Sequence, residues 1–105
     1  MNGRRKDFPK CVYLAEDVCY QIKFKRGLQA KGYMGVCCFD IKEIWISTGL
    51  TCQERLETFW HEISHALDFE YGIKLTHKQV YALEKPLSDL FQKNAWVQWA
   101  QWKEE

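Results

Sequence analysis

His61-Glu62-Ile63-Ser64-His65 sets two imidazoles four residues apart, with a carboxylate beside the first. On a helix, positions i and i+4 lie one above the other on the same face. One metal ion can then be reached by both rings. Glu62 points sideways along the helix, where it can reach a water held by that ion. Two histidine ligands and a glutamate general base are the parts needed for metal-assisted hydrolysis. Five residues of this kind also arise by chance, as two histidines on a solvated face, so the surrounding sequence has to carry the argument.

Thr51 with Glu54 three residues later forms a capping box that opens a helix, and Gly72 after Tyr71 is a C-terminal stop. Between them Leu56, Phe59, Trp60, Ile63, Ala66 and Leu67 recur at helical spacing and make one apolar face. His61 and His65 fall on the other side, near Glu54, Glu57 and Asp68. A buried stripe opposite a polar i, i+4 pair is the pattern expected of a metal-binding core helix.

A catalytic zinc takes three protein ligands and leaves one position open. Thr76 and Gln79 form a second capping box, so a second helix is expected from about residue 77, with Val80, Leu83, Leu87, Leu90 and Phe91 as its apolar face. Glu84 lies on or beside that face. An unpaired carboxylate there is costly, and a metal would neutralise it. Glu84 is therefore the preferred third ligand. His77, two turns earlier on about the same side, competes for the place, or else supports a ligand or the transition state. The plain alternatives are a surface Glu84 paired with Lys85 or Lys78, and a solvated His77 at the helix start. Tyr81, His77 and Tyr71 are candidates to donate a hydrogen bond to a developing oxyanion. Asp68, one turn beyond His65, is either an acceptor for a histidine N–H or a solvated carboxylate.

The elements that must position these groups are short. Residues 1–9 read as a flexible basic arm. Residues 10–14, 18–24, 33–39 and 43–47 read as strands, with Ile44 and Ile46 on one face of the last. Their short connections predict an antiparallel meander. Pro86 predicts a kink in the second helix rather than its end. Trp96, Trp99 and Trp102 would make an aromatic stripe on a helix, either packed over the sheet or first helix, or exposed to dock a protein partner.

With 105 residues the chain makes one domain, and 47% hydrophobic and 15% aromatic side chains supply a core. A net charge of +1, from 15 basic and 14 acidic side chains, argues against strong nucleic-acid binding. No apolar run approaches the roughly 20 residues that span a bilayer, and no signal peptide is visible. A cytoplasmic protein is expected. The five cysteines form no C-x-x-C pair, and most are expected to be small buried hydrophobes, with a second structural zinc site as the alternative.

The run from Ile44 to Asn94 resembles the minimal gluzincins, small zinc metallopeptidases with H-E-x-x-H and a downstream glutamate. Within them it is most similar to the ImmA/IrrE-like proteins common in phages and mobile elements. The resemblance rests on Ile44-Trp45-Ile46, on Gly49-Leu50-Thr51 with Glu54-Arg55, on His61 through Leu67, on Tyr71-Gly72-Ile73 and on Val80 through Glu84. It implies an α+β, zincin-like domain over residues 10–105. A three- to four-stranded, mainly antiparallel sheet would pack on the His61 helix and on a second, ligand-bearing helix. It also implies one zinc ion on His61, His65 and Glu84, Glu62 as base, and a protein or peptide substrate. By the same resemblance residues 33–39 would be the sheet edge that pairs with substrate, unless the N-terminal segment covers it. The SprT-like zincins, DNA-associated proteases, use a histidine as third ligand, and His77 would take that place. Neither the DNA-binding helix-turn-helix nor the sensor domain of larger ImmA/IrrE-like members is seen, so the resemblance does not by itself imply their regulatory roles. A different class of function stays open: a non-catalytic, zinc-containing module that docks a host or repressor protein and blocks it.

Overall fold

Both helices start where side chains satisfy the free N–H groups of a first turn. In the computed structural model, which describes residues 10–15 and 17–94, the Glu54 N–H donates to Thr51 Oγ1 (3.1 Å) and the Thr51 N–H donates to Glu54 Oε1 (3.0 Å). This box opens α1, Cys52–Tyr71, which closes on Gly72 in the left-handed conformation, φ 64°. The second box, Gln79 N–H to Thr76 Oγ1 (3.1 Å) and Thr76 N–H to Gln79 Oε1 (2.9 Å), opens α2, His77–Asn94. Pro86 lies inside α2 without ending it.

The strands are β1 Cys11–Ala15, β2 Val18–Lys25, β3 Gly35–Cys38 and β4 Glu43–Ser47. They form a mixed sheet in the order β1-β2-β4-β3, so the expected meander is corrected. β2 and β4 pair in parallel, while β1–β2 and β3–β4 are antiparallel. Residues 26–34, with one 3-10 turn at Gln29–Lys31, carry the chain past the place beside β2, and β3 takes the edge. The two central places go to β2 and to β4, whose Ile44 and Ile46 are fully buried.

α1 covers one face of the sheet. Phe59, Ile63 and Ala66 meet Tyr20, Ile22, Ile44 and Ile46 in the core, with Leu56, Trp60 and Leu67 at its margin. α1 comes close to β3 at Gly35. A Cβ there would lie 2.5 Å from Thr58 Cγ2 and 3.1 Å from both Cγ and Oε2 of Glu62. On the opposite sheet face Trp45 donates from Nε1 to Glu43 Oε1 (2.7 Å), and Lys25 Nζ lies 4.7 Å from the Trp45 ring centroid. α2 packs on α1 through Val80, which is fully buried, and through an edge-on contact of Phe91 with Trp60. Leu83 and Leu90, expected on the apolar face of α2, are exposed.

The cysteine expectation is also corrected. Cys11 and Cys52 are exposed, Cys19, Cys37 and Cys38 are half-buried, and all five are free thiols. Cys37 packs against the core, and burial pushes its thiol up to about 12. Residues 1–9 and the Trp96, Trp99 and Trp102 stripe lie outside the described residues. Among the described residues no helix is long and apolar enough to cross a membrane.

Glu70, near the end of α1, accepts from the buried Tyr20 hydroxyl (2.7 Å) and from Lys42 Nζ (2.6 Å) on the same oxygen. Those donors hold its carboxyl below the ordinary value of 4.5. A depressed folded pKa gives stability that is present above the unfolded value and lost as pH falls through the folded one. Glu70→Gln should therefore melt below the parent at pH 7, and the gap should close as the pH is lowered from 4.5 in paired thermal melts. Gly35→Ala should destabilise by about 1–3 kcal/mol through overpacking. Thr58→Ser, which removes the clashing methyl, should recover part of that loss in a double-mutant cycle.

Candidate metal centre

α1 presents His61 and His65 one turn apart, and their Nε2 atoms lie 3.2 Å apart. Two nitrogens each about 2.0–2.1 Å from one tetrahedral zinc would be separated by nearly this distance. His77, the first residue of α2, adds a third ring. One ligand atom from each of His61, His65 and His77 falls within 4.8 Å of the others. The His65 and His77 ring centroids are 4.9 Å apart, almost perpendicular. His61 and His65 are half-buried and His77 is exposed, so the cluster opens to solvent on the α2 side. Burial and the neighbouring His61 and His77 hold His65 below the ordinary imidazole value, which keeps its lone pair free for a ligand. Three convergent imidazoles therefore fit a divalent transition metal such as zinc.

Glu84 stands outside this trio. Its Oε2 lies 2.8 Å from Nδ1 of His61, the nitrogen on the other side of the ring from the cluster. Both side chains are largely shielded, with 15% and 20% of their surface exposed. The two residues weighed for one role thus occupy two places: His77 joins the nitrogens and Glu84 backs one of them. The i, i+7 spacing of His77 and Glu84 puts both on about the same side of α2, as expected from the sequence. Which atom each would meet depends on how the two helices dock.

Glu62 is buried, 6% exposed, against Gly35 of β3. Its carboxylate has no hydrogen-bond partner among the described residues. Burial above all, with Glu84 adding to it and His61 opposing it, pushes its pKa up to about 7. Tyr81 lies at the rim, 62% exposed, its ring centroid 4.8 Å from that of His61.

Two other candidates are engaged elsewhere. Tyr71 donates its hydroxyl to the Leu14 carbonyl (2.8 Å), tying the end of α1 to β1, so it is removed from the oxyanion candidates. Asp68 accepts from the Lys74 N–H through its side chain and from the Gly72 N–H (2.7 Å) through its carbonyl. It closes α1 rather than holding a histidine. Gly35 was missed at the sequence level. A glycine inside a predicted strand is the available sign of a close backbone approach.

Keeping Glu62 in place is costly for the metal-free fold. A carboxyl whose folded pKa is raised, here from 4.5 to about 7, contributes no penalty below 4.5 and its full penalty above 7. In chelator, Glu62→Gln should therefore be more stable than the parent at pH 8, by up to about 3 kcal/mol. The advantage should shrink to nothing near pH 4.5 in paired denaturant titrations.

The chain matches no protein-family model, no curated protein and no solved structure at a significant level.

Proposed function

We propose that the protein is a metal-dependent hydrolase of the zincin type, with zinc as its ion and a peptide bond as its substrate. The observation that carries this reading is three imidazole nitrogens converging next to the buried carboxylate of Glu62. A divalent ion held by His61, His65 and His77 would activate a water and polarise a carbonyl. Glu62, buried next to His61, is the group that would take a proton from the attacking water and return it to the leaving amine. Tyr81, exposed beside His61, is the group available to donate to the oxyanion.

The preference for a peptide substrate rests on β3. Among the described residues β3 is one of the two edge strands of the sheet, with β1 the other, and its Gly35 lies against Glu62. An extended peptide that paired with this edge would run past the base. A histidine rather than a glutamate as third ligand favours the SprT-like ligand pattern over the ImmA/IrrE-like one, while a net charge of +1 gives no reason to invoke DNA. A purely docking module would gain nothing from burying Glu62.

The parent and Glu62→Gln should each hold one zinc per chain, measured by metal analysis. Cleavage of an unfolded protein such as casein should fall by a factor of about 10²–10⁴ in the variant. Equal cleavage by both proteins, or a parent that takes up no metal, would sink the proposal.

A further inference from the structure

We infer that Glu84 is a positioning residue and not a ligand: it fixes the tautomer of His61 so that Nε2 meets the ion. The inference rests on the three-histidine reading of the site. A carboxylate only accepts, so its 2.8 Å contact makes Nδ1 of His61 the donor. A neutral imidazole has one N–H. With the proton on Nδ1, Nε2 carries a bare lone pair, and this is the atom that lies 3.2 Å from Nε2 of His65. In the opposite tautomer the Nε2 proton would point into the cluster and block a ligand position. A metal-ligating histidine whose other nitrogen donates to a carboxylate is also more basic and better oriented.

The placement of Glu84 makes the arrangement stiff. It lies one helical turn past Val80, which is fully buried against α1, and its own carbonyl accepts from the buried Ser88 hydroxyl (2.8 Å). Its side chain is 20% exposed, enough shielding for the charge-assisted bond to His61 to outcompete water. His77, seven residues earlier, lies on the same side of the helix. One helix therefore brings a donor atom to the front of the cluster and an orienting group to the back of one of its rings.

The decisive comparison is among the parent, Glu84→Ala, Glu84→Gln and His77→Ala. In the metal-free proteins at pH 7.5, nitrogen NMR of the histidine rings reads the tautomer directly. The parent should show His61 protonated on Nδ1, Glu84→Ala should lose that preference, and Glu84→Gln, whose amide oxygen still accepts, should keep it. Titration with Co²⁺, followed by its visible absorption, reads the ligand set. Glu84→Ala should bind about 10–100-fold more weakly than the parent with the same band shape. Glu84→Gln should fall between the two, and His77→Ala should change the band shape. If Glu84→Ala alters the bands and His77→Ala does not, Glu84 is itself a ligand and the assignment is overturned. An unchanged tautomer or an unchanged affinity in Glu84→Ala overturns it as well. A parent that binds no Co²⁺ brings down the metal-centre reading, and the ring NMR still decides whether Glu84 sets the tautomer.

Discussion

α1 has to sit close enough to β3 to bury a carboxylate, and the rest of the site depends on that approach. Gly35 permits it, because a side chain there would enter the space of Thr58 and Glu62. The core on the same helix face, Phe59, Ile63 and Ala66 against Tyr20, Ile44 and Ile46, supplies the hydrophobic force that holds the two layers together. Burial of Glu62 is then a by-product of good packing one turn away. Burial disfavours the charged form of that carboxylate more than the neighbouring His61 favours it. The same packing that stabilises the domain thus maintains a destabilised, proton-hungry group.

α2 completes the arrangement from the opposite side. Val80 and Phe91 anchor it on α1, and its two turns from His77 to Glu84 span the paired histidines. The polar atoms of the cluster lie along the seam between the helices, with apolar contacts on both sides of it. The rim is left to His77 and Tyr81, both exposed. Entry of a ligand therefore requires no displacement of the core.

Features governed by neighbours in sequence were legible before any coordinates. The i, i+4 histidines, both capping boxes, the Gly72 stop and the apolar stripe of α1 all follow from helix geometry, and each is present. The strand positions were also legible, to within a residue or two at their ends. The sheet order was not. Short links favour adjacent pairing, and the alternation in residues 18–24 and 43–47 says nothing about which strand stands between which. The parallel pairing of β2 with β4 follows from a nine-residue excursion whose path only tertiary packing sets. The roles of His77 and Glu84 were illegible for a related reason. Sequence places them on a helix face but not against a particular ring nitrogen. The engagements of Asp68 with Lys74 and of Tyr71 with Leu14 reflect how α1 ends, which the Gly72 signal marked without specifying its partners.

All the chemistry-bearing side chains fall between His61 and Glu84, on two antiparallel helices joined by residues 72–76. Bringing them together closes a short loop, and loop closure is entropically cheap at this length. The β1–β2 hairpin closes a shorter loop still, while the β2–β4 ladder spans about as much chain as the 23 residues between His61 and Glu84. If the cluster holds an ion as proposed, binding it would stabilise that helical hairpin and so couple the fold of the chain to the supply of metal around it.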